Sequence, residues 1–302
     1  MPFTTLVPGV GQEIIAEVDA TNPAPGSFAV WFLGQAGFIL KFADGPIVYL
    51  DPWLSDLTGA TRAYPIPLDP HLVTHCDVLL TSHDHADHVD KDADPIIMRQ
   101  SLQATWIAPR GAEALVRELG GAAERTVLVN GDDVVEVAGL RITALPSTHY
   151  GFFHEARYTD EEEAWYRTIP ASLPAERRGK ERFLGFVIEH RGFVIYFAGD
   201  NCGYHGFLER LAQWPAFDLM LLPINGRDWF REQKGVIGNF TYREAAQVAS
   251  VAAANLLIPY HYDGFVSNNE YPDALVRYTQ TDGPQIAVRV LQLGERLIVP
   301  KE

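Results

Sequence analysis

The sequence predicts an α/β fold made of two halves of similar design, and three observations carry that prediction. Between residues 78 and 119, short apolar runs alternate with stretches of helical periodicity, the rhythm of strands connected by helices. Ile47-Val-Tyr-Leu-Asp51 is echoed by Val194-Ile-Tyr-Phe-Ala-Gly-Asp200, and Cys76-Asp-Val-Leu-Leu-Thr81 by Phe217-Asp-Leu-Met-Leu-Leu222. Each half thus runs from an apolar strand ending in Asp to a strand beginning with Asp, so equivalent loops can leave equivalent strand ends. Finally, 302 residues suit one large domain or two fused halves.

The elements follow in order. A turn-rich lead-in ends at Asn22-Pro-Ala-Pro-Gly26, and strands are expected at 28–33 and 37–42, joined by Gly34-Gln-Ala-Gly37. Asp44-Gly45-Pro46 marks a turn before a third strand, Ile47–Leu50, which stops at Asp51-Pro52. Residues 54–75 form a loop whose His71 and His75 sit among polar turn residues, a structural or solvated setting. Strand Val78–Leu80 is followed by helices at 94–103 and 111–119 around a short strand at 105–108. Two strands, Val134–Val137 and 140–145, turn through Ala138-Gly139, and His149 lies just beyond them.

Residues 152–182 are the longest stretch without a regular pattern, with the acidic run Asp160-Glu-Glu-Glu163 and the basic run Arg177-Arg-Gly-Lys-Glu-Arg182. A loop of that length is expected as a lid or subunit-contact insertion in one domain spanning 1–302. Strands resume at 183–189 and 192–198 and end at Gly199-Asp200-Asn201, ahead of a helix at 204–213 and a strand at 218–223. Asn239 or Thr241 caps a helix reaching about residue 254, strand Leu256–Tyr260 carries His261 at its tip, and a helix at 271–279 precedes closing strands at 285–291 and 296–299.

Charge and cysteine usage narrow the function classes. The formal net charge is −15, which disfavours a polyanionic partner such as nucleic acid while leaving room for a local basic pocket. Cys76 and Cys202 are too few for a disulfide framework; no signal peptide or apolar run of membrane-spanning length is apparent, so a cytoplasmic protein is expected.

The chemistry concentrates in Thr81-Ser-His-Asp-His-Ala-Asp-His88. Imidazole and carboxylate are what borderline divalent ions bind. His83, His85, Asp87 and His88 are too close in sequence to share one helical face, but on an irregular loop leaving a strand they can point into one hollow. Asp51, His149, Asp200 and His261 also stand at strand ends, and together the set has enough ligands for two ions. Two ions roughly 3.5–4 Å apart activate a shared water, which is hydrolytic chemistry.

His-Asp-His-Ala-Asp-His (83–88) resembles the HxHxDH signature of the metallo-β-lactamase fold superfamily, and His149, Asp200 and His261 fall in the order of that family's remaining ligands. The resemblance implies an αββα sandwich, two mixed β-sheets flanked by helices. It also implies two divalent ions, Mn2+ or Zn2+, one on His83, His85 and His149, the other on Asp87, His88 and His261, with Asp200 bridging. Ala24-Pro-Gly-Ser-Phe-Ala-Val-Trp-Phe-Leu-Gly34, residues 81–90 and Ile258-Pro-Tyr-His-Tyr-Asp263 resemble the L-ascorbate-6-phosphate lactonase branch. Tyr196-Phe-Ala-Gly-Asp200 and Leu222-Pro-Ile224 are similar to the N-acylphosphatidylethanolamine phospholipase D group, and residues 152–182 align with neither.

The branch implies an intracellular, oligomeric hydrolase of a small anionic compound, with hydroxide attacking a lactone carbonyl or a phosphorus centre. Asp51 would orient a ligand histidine, and Asp84 would serve as a loop hydrogen-bond partner or in proton transfer. Arg227 would hold substrate charge, with His154 and Tyr262 as further substrate-facing or acid groups. A phosphodiesterase or phospholipase-D-like hydrolase would use the same ligands, and a non-catalytic metal-binding protein on this fold is the alternative from another class. A di-iron oxygen-reducing member would carry Glu where His85 stands.

Overall fold

The computed structural model describes residues 7, 9–57, 61–149, 182–234, 236 and 238–301. The apolar runs of the first half pair into a seven-stranded sheet of β1 (Ser27–Gly34), β2 (Gly37–Phe42), β3 (Ile47–Leu50), β4 (Val78–Leu80), β5 (Thr105–Pro109), β6 (Thr126–Val129) and the late strand β14 (Arg296–Pro300). Its spatial order is β14-β1-β2-β3-β4-β5-β6. The second sheet has the order β13-β12-β11-β10-β9-β8-β7. Its members are β7 (Val134–Val137), β8 (Leu140–Pro146), β9 (Leu184–His190), β10 (Phe193–Phe197), β11 (Leu219–Pro223), β12 (Leu256–Tyr260) and β13 (Ala287–Val288). Both sheets are mixed: β1–β3 and β7–β10 are antiparallel meanders, while β3 to β6 and β10 to β13 run parallel.

Strand β1 is buried along its whole length because both of its faces are covered. Phe28, Val30 and Phe32 enter the core between the sheets beside Phe186, Phe197 and Tyr260. Ala29, Trp31 and Leu33 point to the opposite face, against Val18, Ile97 and Val116 of the outer helices. Ala245, Ala246, Ala249 and Leu275 supply the helical layer of the second sheet. The layers are therefore helix, sheet, sheet, helix, the αββα sandwich with two mixed sheets that the sequence led us to expect.

The internal echo has a structural cause. Asp77, ahead of β4, accepts the Ile47 N–H at 2.8 Å, and its own N–H donates to the Ile47 carbonyl at 2.9 Å. Asp218, ahead of β11, does the same with Val194, at 2.8 and 2.9 Å. In each half an Asp clamps the start of one parallel strand to the start of its neighbour, so the opposite strand ends, where Asp51 and Asp200 lie, are set in equivalent positions.

Some elements differ from the sequence reading. The lead-in contains a helix, Gln12–Ala20, held by tertiary contacts: Glu17 accepts the Trp31 indole N–H at 2.8 Å, and Lys41 donates to the Val18 carbonyl at 2.7 Å. A nine-residue helix is marginal without such partners. Strand β6 was not anticipated, nor was a short helix at Trp229–Gln233. The helix expected at 94–103 stops at Gln100, where Ser101 turns its hydroxyl onto the Val73 carbonyl and accepts the Cys76 N–H. The strand expected at 285–291 is reduced to Ala287–Val288. Apart from Arg182, the segment expected as a lid falls outside the described residues. Among the described residues no helix is long and apolar enough to cross a membrane.

Candidate metal centre

The carboxyl ends of β3, β4, β8, β10 and β12 converge, and each carries a residue singled out above. β3 ends at Asp51, β4 opens into residues 81–88, β8 leads to His149, β10 to Asp200 and β12 to His261. Gly199 makes the meeting of the halves feasible. At φ +56 it occupies the left-handed region, and a Cβ there would lie 2.6 Å from the Ser82 Cβ and 2.7 Å from the Leu184 carbonyl oxygen. The Leu184 N–H donates to the Ser82 carbonyl at 3.0 Å across the same seam.

Among the described residues three groups of candidate ligands form, one of them Asp51, His83 and His88, in which Asp51 reaches His88 through Nδ1, the far side of its ring. In the other two, one atom each from His83, His85, His149 and Asp200 lie within 4.8 Å of one another, as do atoms of Asp87, His88 and His261. Asp200 faces both of these with different oxygens. Its Oδ2 is 3.1 Å from His149 Nε2 and 3.9 Å from His83 Nε2, while Oδ1 is 3.2 Å from His261 Nε2 and 3.4 Å from His88 Nε2. Asp87 Oδ2 stands 3.6 Å from His88 Nε2 and 3.5 Å from His261 Nε2.

These spacings suit cations. Bonds of about 2.0–2.2 Å to nitrogen and oxygen in a tetrahedral arrangement put neighbouring ligand atoms about 3.3 Å apart. His83 Nε2, His88 Nε2 and Asp200 Oδ1 are also buried without a hydrogen-bond partner among the described residues, a costly state for polar atoms unless something else satisfies them.

The far side of most rings is held. Asp51 Oδ2 lies 2.6 Å from His88 Nδ1 and accepts the Ser82 hydroxyl at 2.5 Å, while Oδ1 accepts the Ser82 N–H at 2.7 Å. Ser82 Oγ is 3.0 Å from His83 Nδ1, and Asn239 Oδ1 is 3.0 Å from His149 Nδ1. Asn239 in turn donates to Asn225 at 3.0 Å, and Asn225 to Asn268 at 2.9 Å. Such outer partners fix ring orientation and tautomer. Phe183 packs against the rings of His83, His85 and His149.

Burial and charge divide the histidines. Burial holds His83 well below the usual imidazole value, reinforced by the neighbouring His88 and His85, and it lowers His85 to about 4 and His149 to about 3 against the pull of nearby carboxylates. For His261 and His88 burial acts the same way, but the carboxylates outweigh it. Asp200 and Asp87 raise His261 to about 9, and Asp200, Asp87 and Asp51 carry His88 well above its ordinary value. Burial would raise Asp87 and Asp200, yet the facing imidazoles hold both carboxylates low.

The structure gathers His83, His85, Asp87, His88, His149, Asp200 and His261 around one hollow, with Asp51 directly behind His88. Asp84 points to Arg182 instead, accepting from its Nε at 2.5 Å. Arg227 differs from its expected part: both arms of its guanidinium meet Glu244, at 2.6 and 2.9 Å, and one also bonds the Asn239 carbonyl at 2.7 Å. Glu244 belongs to the capping box of helix Tyr242–Val251, so this arginine braces a helix start rather than offering its fork to a substrate. Tyr262 needs correcting too. His261 takes φ +61, and the next side chain enters the core between the sheets, stacked on Phe32 with its hydroxyl directed to the Leu291 carbonyl at 3.4 Å. His154 lies outside the described residues. His71 and His75 are structural, on Asp69 and on Asp19 with Tyr49. The sequence does not single out Gln35, Ser82, Arg182 or Asn239 for the site; of Asn239 and Thr241, the two alternative caps expected for helix Tyr242–Val251, Thr241 is the cap.

Comparisons with known proteins agree with this architecture. The family model described as the beta-lactamase superfamily domain matches residues 47–262. The probable L-ascorbate-6-phosphate lactonase UlaG of Escherichia fergusonii is 24% identical over 289 residues, covering 85% of this chain and 75% of that protein. Igni18, a metallo hydrolase from Ignicoccus hospitalis, superposes with a TM-score of 0.63 at 19% identity over 90% of this chain and 98% of its own. An isothiocyanate hydrolase from Delia radicum gut bacteria gives 0.65 at 16% identity, over 89% and 98%. The family match covers most of the chain, and both sheets of the fold are present: this protein belongs to the beta-lactamase superfamily domain family and has the metallo-β-lactamase fold of metal-dependent hydrolases.

Proposed function

We propose that this chain is a binuclear metal-dependent hydrolase acting on a small anionic substrate, a lactone of the sugar-phosphate type, in the cytoplasm. The observation that carries the two-ion reading is Asp200, whose two oxygens each face a separate group of imidazoles. His83, His85 and His149 would hold one Mn2+ or Zn2+ ion, and Asp87, His88 and His261 the other, with Asp200 shared. Bound there, the ions would supply a water of lowered pKa and a positive centre for the developing oxyanion.

The chain's own groups do the rest. Asp51 and Ser82 keep His88 and His83 turned toward the hollow, and Asn239 does so for His149. Phe183 lays an apolar surface over three of the rings, excluding water from that side. Arg182 lies close enough for its charge to act on His85 and would hold substrate charge in a share with Asp84, which meets it through Nε alone, whereas both arms of Arg227 close on Glu244 away from the hollow. The lactone assignment leans on the likeness to the UlaG lactonase. The test is metal analysis of the purified chain, then a panel of sugar-phosphate lactones, homoserine-type lactones and phosphodiesters. Turnover of the first class that disappears in the His85→Ala/His261→Ala variant is expected, and preferential cleavage of phosphodiesters would overturn the substrate class.

A further inference from the structure

Gln35 stands in the turn between β1 and β2 at φ +53, a left-handed conformation that glycine adopts freely and side-chain-bearing residues rarely do. A glutamine held there directs attention to what its side chain reaches. Its amide Nε2 donates to Asp87 Oδ2 at 2.8 Å and lies 2.9 Å from His261 Nε2. Its backbone is tied to the same corner: the carbonyl accepts the His261 N–H at 2.7 Å, and the N–H donates to Asp263 Oδ1 at 2.9 Å. The amide packs directly over Gly264, where a Cβ would lie 1.9 Å from Gln35 Oε1, so only glycine leaves room for it there.

The histidines differ in a way that gives this contact its meaning. His83, His88 and His149 each have Nδ1 against a serine hydroxyl, a carboxylate or an amide oxygen. His261 Nδ1 is buried and has no hydrogen-bond partner among the described residues. A ligand histidine ordinarily owes its orientation to that second nitrogen, and His261 must owe its own to something else.

We infer that Gln35 is the positioning residue of the Asp87–His88–His261 half of the centre, an inference that rests on the two-ion reading above. Its carbonyl fixes the strained turn that bears His261, and its amide fixes the Asp87 carboxylate. The two ligand atoms are thereby held 3.5 Å apart. A cation held by His261 Nε2 would leave the amide its hydrogen bond to Asp87. Among the described residues the hydrogen bonds of Gln35 go to Asp87, His261 and Asp263 and to none of His83, His85 and His149, so the other half is expected to depend on it little.

The experiment is a titration of chelator-stripped protein with Mn2+, followed by calorimetry and by electron paramagnetic resonance, on the wild type, Gln35→Ala and Gln35→Gly. The wild type is expected to bind two equivalents and to develop a spin-coupled Mn–Mn spectrum. Both variants are expected to keep the first equivalent, to bind the second about 10–100-fold more weakly, and to show isolated Mn2+ at two equivalents. Gln35→Gly suits the φ of this turn, so its metal-free unfolding midpoint should match or exceed that of the wild type, which separates positioning from a role in folding. A wild type that takes two ions while Gln35→Gly binds both with unchanged affinity would overturn this inference alone, as would equal weakening of both ions. A wild type that takes a single ion overturns the two-ion reading and this inference with it.

Discussion

At the scale of single residues, the centre is built from pairs in which one member faces the hollow and the other steadies it. Asp51 sits at φ +37 and directs one oxygen to the Ser82 N–H and the other to the Ser82 hydroxyl and His88. Replacing it by Ala leaves His88 without its brace and frees the Ser82 hydroxyl that faces His83, and metal affinity should fall about 10–100-fold, read by competition with a chromogenic chelator. Protons distinguish the two halves. His85 and His149, at about 4 and 3, are neutral at pH 7, whereas His261, at about 9, and His88, held well above the ordinary imidazole value by Asp200, Asp87 and Asp51, carry protons in the metal-free chain. A cation entering the second half must displace those protons, so its affinity should rise with pH by about 10-fold per unit for each proton released. Calorimetry at pH 7 in buffers of different ionisation enthalpy should find proton release with the second ion and almost none with the first. In the metal-free protein the sign runs oppositely. The folded pKa of His261 lies above its unfolded value, so its contribution to stability is complete below about pH 6.5 and is lost as pH rises through about 9. Arg182→Ala should raise KM for an anionic substrate by about 10-fold with kcat little changed, the loss of roughly one charge-assisted hydrogen bond.

At the scale of elements, loops hold the chemistry only because the strand and helix ends beneath them are fixed. Helix Tyr242–Val251 starts with Thr241 accepting the Glu244 N–H and Glu244 accepting the Thr241 N–H, and Arg227 clasps the same carboxylate. Thr241→Ala should cost about 1 kcal/mol by denaturant unfolding. Because Arg227 also bonds the Asn239 carbonyl and Asn239 orients His149, weaker metal binding should accompany it. The β10 end is more demanding. Gly199→Ala adds a methyl group against Ser82 at a φ that itself costs about 1–2 kcal/mol for an L-residue. We expect this variant to lose more metal affinity than Thr241→Ala does, because it parts the two halves at their seam.

At the scale of the whole molecule, the candidate ligands come from both sheets, so ions bound among them would crosslink two halves that also share one core. Asp51 and residues 83–88 leave the first sheet, and His149, Asp200 and His261 the second. Ions bound at 1,000 times their dissociation constant add about 4 kcal/mol to stability. Chelation should therefore lower the calorimetric unfolding midpoint, and a midpoint that is the same with and without the ions would refute the crosslink. Phe38 packs between the sheets beside Phe32 and Tyr260. Phe38→Ala should cost about 3–5 kcal/mol while leaving metal stoichiometry unchanged in the folded fraction.

What the sequence determined by itself was local or repeated. Apolar runs ending in Asp or His mark strand ends, and the doubled Asp-to-Asp pattern reflects the paired clamps of Asp77 on Ile47 and Asp218 on Val194. The spacing in residues 83–88 names ligands because side chains that close can share only one small hollow. Contacts between residues far apart in the chain were decided by the tertiary structure. Only folding brings Gln35 to Asp87 and His261, or Asn239 to His149, across long sequence separations. Only folding turns Tyr262 into the core and commits Arg227 to a helix cap, where sequence position had suggested a substrate. Residue type and spacing say what a side chain can do. Where it points depends on the backbone angle at its own position and on the partner that packing sets opposite it.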